Sequence, residues 1–132
     1  LRREGDVILD IGYGVFGAQT LNLLEGADDS PELRVIAVVN YTRPLTGSKE
    51  LIKEYLSGLG RVDALVANTH LGKETTLEVI KRGNAQIIEA AREIGLPVDY
   101  MAVDEFWQGI IDAGEFQIPV KYIRRYMPEA RW

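Results

Sequence analysis

The sequence contains no cysteine. Disulfides, thiol nucleophiles and Cys-ligated metals are thereby excluded, and a reducing cytoplasmic setting is the compartment favoured. Histidine occurs once, at His70. One His without Cys does not make a zinc site of the usual nitrogen–sulfur kind. A hydrolytic triad would need His70 with an acid and Ser30, Ser48 or Ser57, and none of these serines sits in a nucleophile elbow. No run of about 18 apolar residues is present, so no membrane span is expected. The opening Leu1-Arg2-Arg3-Glu4-Gly5 shows no signal-peptide pattern. Positive charge is also short. Fifteen Lys and Arg against 20 Asp and Glu give a net charge of −5, which argues against a nucleic-acid surface. The first residue is Leu rather than Met, and the expectation is a piece of a longer chain.

What is present is a domain-sized chain of 132 residues, 46% hydrophobic, with no internal repeat. Short apolar runs at 6–11, 33–39, 62–68 and 98–103 read as buried strands. Helical patterns lie between them. One covers about 18–24; a second, capped by Ser48, runs to about Leu59. A third, capped by Thr75 in a capping-box spacing with Glu78, runs to Ile94 with a weak point at Gly83-Asn84. The last stretch reads as a helix over 106–111, an edge element over 116–120 and a final helix over 121–127. Alternation of this kind predicts a single α/β domain, three-layered, with a mostly parallel sheet and flanking helices. Four such strands are few for a doubly wound sheet, which points to a part supplied from elsewhere.

In an open parallel sheet, ligands sit outside the carboxyl ends of the strands. The stretch V-D-A-L-V-A-N-T-H-L-G-K-E-T-T, Val62 to Thr76, puts a polar cluster at such an end and is the leading candidate site. A second candidate is G-Y-G-V-F-G, where Gly12, Gly14 and Gly17 satisfy the dinucleotide fingerprint between an expected strand and helix. The fingerprint also wants an acid after the second strand. Asn40 stands there instead, and Asp28, Asp29 and Glu32 fall at the wrong end of that strand. A Rossmann-type oxidoreductase domain using the three glycines is therefore the alternative reading. Asp10, near the end of the first expected strand, is the candidate to hold a metal-bound water.

Three blocks together resemble the second half of MinD/ParA-like P-loop ATPases of the deviant-Walker class. They are V-I-L-D-I-G-Y-G-V-F-G-A (Val7–Ala18), V-V-N-Y-T-R-P-L-T (Val38–Thr46) and L-V-A-N-T-H-L-G-K-E-T-T (Leu65–Thr76), the last followed by G-L-P-V. The resemblance covers roughly Gly5 to Asp104 and implies a P-loop NTPase-like fold, present in part, that binds ATP or ADP with Mg²⁺. It implies that Asp10 helps place Mg²⁺ through water and that Gly12 is the γ-phosphate-sensing switch glycine. It implies that Asn68 reads the base, an Asn amide being able to donate and accept at once on the N6/N7 edge of adenine. Asp104 would lie beside the base, with Asn40 and Arg43 at the neighbouring strand end.

Two departures qualify what the resemblance implies. The family's second switch Asp falls at Gly14, and no G-K-[ST] phosphate loop occurs, since L-G-K-E-T around Lys73 lacks the spacing. The expectation is a C-terminal half, partnered by a missing N-terminal half or by a second copy in a homodimer, and not an ATPase by itself. Phe106, Trp107 and Trp132 read as core or loop anchors. Lys121, Arg124, Arg125 and Arg131 make a basic end to an acidic chain.

Overall fold

The structure is a computed structural model that describes residues 5–12, 14–23, 26–27 and 30–126. Four short strands form one sheet: β1 (Ile36–Val39), β2 (Ala64–Ala67), β3 (Val98–Asp104) and β4 (Val120–Ile123). Their order is β1-β2-β3-β4, and each neighbouring pair is parallel. Parallel neighbours need crossovers. The first two are helical, α2 (Lys49–Gly58) and α3 (Leu77–Ile94), following a five-residue α1 (Gly14–Ala18) that runs into a 3-10 turn. The third crossover has no α-helix and covers the core with Trp107, Ile111 and Phe116 instead. The α/β architecture expected from the sequence is therefore present.

The core explains which apolar residues went where. Ala37, Val39, Leu65, Ala67, Met101 and Val103 form one cluster with Ile52 and Leu56 of α2 and with Ile80, Ile87, Ala90 and Ala91 of α3. These strand residues share one face of the sheet, by the two-residue period of a strand. Consecutive right-handed crossovers place α2 and α3 together on that face. Lys49 reaches Glu89 at 2.9 Å and Glu93 at 2.7 Å across the helix pair. Lys49, with Lys53, pulls the Glu93 carboxyl down to about 2. The opposite face is treated differently. Ile36 and Val38 of β1 are 41% and 62% exposed. Among the described residues both longer α-helices lie on the first face, so the expected third layer is not seen, although Ala64, Val66 and Ala102 are buried on the second.

Several expected elements changed. Residues 6–11 form no strand; 6–10 are exposed, with Ile8 at 93%, and Ile11 is half-buried. Their apolar pattern is that of a strand, but no neighbouring strand pairs with them. The helix expected at 18–24 is a 3-10 turn, Gln19–Leu23, and Leu24 lies outside the described residues. The stretch 106–111 begins as a 3-10 turn, Glu105–Trp107. The helix expected over 121–127 is strand β4, which fills the outer edge of β3. Val120 and Tyr122 point to the core while Lys121 and Ile123 point away. Met127 and everything after it, Arg131 and Trp132 included, lie outside the described residues, as do Asp28 and Asp29.

Helix α3 is continuous through Gly83-Asn84. The glycine serves contact rather than a break. A Cβ there would lie 2.8 Å from Thr69 Oγ1 and 2.9 Å from the Tyr41 Cβ. Asn84, fully buried, accepts the Thr69 N–H at 3.1 Å. The loop after β2 is thus pressed directly onto the middle of α3. Ser48 caps α2 as expected. The α3 cap is Thr76, not Thr75, because the Thr75 hydroxyl is spent closing the preceding turn on Leu71 and Gly72.

Helix propensity alone would have Gly83→Ala stabilise the chain by about 1 kcal/mol. The contacts reverse the sign, and we expect a net loss of about 1–3 kcal/mol in urea denaturation. A variant as stable as the parent would show that the α3 contact is not tight.

Candidate functional site

The polar residues that follow the strands meet at one end of the sheet. Two adjoining cavities open there, of about 420 and about 470 Å³. The first lies over the ends of β2, β3 and β4, between Asn68, His70, Lys73, Asp104, Trp107 and Arg125. The second lies over the ends of β1 and β2, between Asn40, Arg43, Thr46, Tyr55, Asn68 and His70. Asn68 and His70 line both. Four expected site residues, Asn40, Arg43, Asn68 and Asp104, are therefore brought together by the parallel register.

Their chemistry differs. Asn40 is engaged at both ends of its carboxamide. Its Nδ2 donates to the His70 carbonyl at 3.0 Å, and its Oδ1 accepts from Thr42 N, Thr42 Oγ1 and His70 N at 3.0, 2.9 and 3.3 Å. It ties the loop after β1 to the loop after β2, which makes it a brace rather than a reader of ligand. Asn68 is the opposite case. It is held by its backbone, whose N–H donates to the Val39 carbonyl at 2.8 Å. No hydrogen bond among the described residues engages its carboxamide. Asp104 accepts the Phe106 N–H at 3.0 Å, capping the turn after β3.

Asp10, Gly12 and Gly14 line neither cavity, since residues 6–12 do not form the strand that would deliver them. The expected switch and metal positions are thus not brought to either cavity. Gly14 does come near. It sits at φ +55°, and a Cβ on it would lie 2.7 Å from the Tyr55 hydroxyl oxygen. Tyr55 in turn lines the second cavity, so the glycine loop abuts that cavity's wall. The strand–glycine loop–long helix unit of a dinucleotide fold is not formed, α1 being five residues long. Among the described residues no three His, Asp or Glu side chains converge to hold a metal ion. The residues present do not by themselves build a magnesium site.

The charge is mostly positive. Arg43, Lys73 and Arg125 line the cavities against Asp104. Arg125 and the wall residues Phe106 and Trp107, which meet edge-to-face at 5.2 Å, were not expected here. Arg125 is delivered by β4, whose Ile123 pairs with Asp104. Only that pairing, invisible in a four-residue alternation, could have placed it.

Comparison with protein families, with curated proteins and with solved structures finds no match.

His70 is half-buried, and Gly72 N–H donates to its Nδ1 at 3.3 Å. Burial is the main cause that pushes its pKa below the usual 6.5. Arg125 and Arg43 add to the shift, and Asp104 opposes it.

Two expectations follow from these contacts. Because the folded pKa of His70 is depressed, the unfolded chain binds the proton first. Stability should be full above pH 6.5 and fall as pH drops from there through the folded pKa. His70→Gln should lose that component of the pH dependence in denaturation, while an unchanged profile would place the titration elsewhere. Asn40→Ala strands the His70 and Thr42 partners and should cost about 1–3 kcal/mol; a loss below measurement error would contradict the bracing role.

Proposed function

We propose that the paired cavities bind an adenine nucleotide, as in the MinD/ParA-like proteins that the sequence resembles. The base would lie in the first cavity against Asn68 and Asp104. The phosphates would extend past His70 into the second cavity, toward Arg43 and the glycine loop beyond Tyr55. The observation that carries this reading is the Asn68 carboxamide. It stands at the end of the central strand, in the wall shared by both cavities, with its donor and acceptor uncommitted among the described residues.

A half-buried amide at this strand end can match the paired donor and acceptor of the adenine N6/N7 edge. The phenyl and indole walls of Phe106 and Trp107 supply apolar surface for a flat ring. The cationic lining suits a phosphate chain. In this reading the phosphate loop and the groups that complete a magnesium site come from outside these residues, on a preceding half or a second copy. ATP or ADP with Mg²⁺ is the ligand of that assembly. No hydrolytic step follows from the residues described.

Calorimetric titration with ADP provides the test. Asn68→Ala should weaken binding on the order of tenfold or more and erase any preference for adenine over guanine. An unchanged affinity and preference would remove Asn68 from the base site.

A further inference from the structure

His70 stands where the two cavities meet, and its geometry fixes what it offers. Its carbonyl accepts from Asn40 Nδ2 at 3.0 Å, and its N–H donates to Asn40 Oδ1 at 3.3 Å. The backbone is therefore pinned from the β1 side. The ring is pinned from the other side, by the Gly72 N–H on Nδ1. A nitrogen that accepts a hydrogen bond carries no proton, so the neutral ring keeps its proton on Nε2. No hydrogen bond to Nε2 is made among the described residues. The result is a donor whose tautomer and orientation are set before any ligand arrives, in a wall common to both cavities.

The charges around the ring point to what the donor meets. Arg43 faces it from the loop after β1 and Arg125 from the end of β4. Lys73 lines the first cavity beside it, and Asp104 at the end of β3 is the one opposing charge in the two linings. A positive setting with a fixed neutral donor favours an anionic acceptor.

We infer that His70 is a ligand-contacting residue whose Nε2–H donates to a phosphate oxygen of the bound molecule, at the junction between its base and its phosphate chain. The nucleotide identity of that molecule rests on the function proposed above; the phosphate contact rests on the ring's own geometry. A phosphate arriving at Nε2 favours the imidazolium. Binding should therefore take up a proton and tighten as pH falls through the pKa of the bound state. Above it, the neutral Nε2–H still donates.

Because the chain has a single histidine, its imidazole can be followed by nuclear magnetic resonance without an assignment problem. The probes are inorganic pyrophosphate, AMP and adenosine. In the free protein the ring should be the Nε2–H tautomer. Pyrophosphate and AMP should shift its signals and raise its titration midpoint, whereas adenosine should leave the midpoint in place. His70→Leu should weaken AMP on the order of tenfold without changing adenosine binding. His70→Gln, which keeps a donor, should recover most of the AMP affinity but none of the proton uptake.

An Nδ1–H tautomer in the free protein would overturn the inference. So would an imidazole unmoved by millimolar pyrophosphate and AMP. The two proposals fail separately. If pyrophosphate moves the ring and AMP binds no better than pyrophosphate, with Asn68→Ala neutral, the base reading falls and the phosphate contact stands. If AMP binds through Asn68 while the ring does not respond, the phosphate contact falls alone.

Discussion

The Asn40 carboxamide is the constraint on which the ligand end of this molecule depends. A parallel sheet aligns its strand ends but leaves the loops beyond them independent, each free to satisfy its own backbone. Here one side chain accepts from Thr42 and His70 and donates back to the His70 carbonyl. It makes the loops after β1 and β2 a single unit. The same loop is pressed from beneath by α3, where Thr69 meets Gly83 and Asn84. Clamped from two directions, residues 68–72 are ordered in advance, which lowers the entropic cost of any contact made there.

That rigidity gives the two asparagines opposite parts. Asn40 commits both its oxygen and its nitrogen to protein partners, and among the described residues the carboxamide of Asn68, one strand over at the equivalent end, does not. Position in the fold is the same for both; what separates them is whether a neighbouring loop reaches back. The electrostatic setting follows the same division. Arg43 arrives on the braced β1 loop and Arg125 on β4, so cationic groups flank the uncommitted amide from two different strands.

Much of this end of the molecule was legible in the sequence. Strand β2 and the change of composition at Asn68 marked the strand end over which the two cavities lie. Asn40, Arg43 and Asp104 were placed by the same rule. Two classes of feature were not legible. Residues 6–11 have a strand's composition, but a strand exists only when another pairs with it, and pairing is not written in the segment itself. Their role in carrying Asp10 and Gly12 toward the site went with it. In the tail, the V-K-Y-I alternation of β4 is too short to outweigh the spacing of Lys121, Arg124 and Arg125, so Arg125 was assigned to a basic end instead of a cavity wall. Gly83 was read as a weakness in α3 because propensity sees only the helix, whereas the reason for the glycine lies in the Thr69 and Tyr41 side chains across from it.

Strand β1 is the outermost strand of the described sheet, and it carries Ile36 and Val38 in the open. An unpaired row of amides and carbonyls beside exposed branched side chains is a template for addition of another strand. At high protein concentration such an edge recruits strands from other molecules as readily as from its own chain. The consequence of an open β1 edge is a concentration-dependent route to association that need not disturb the core.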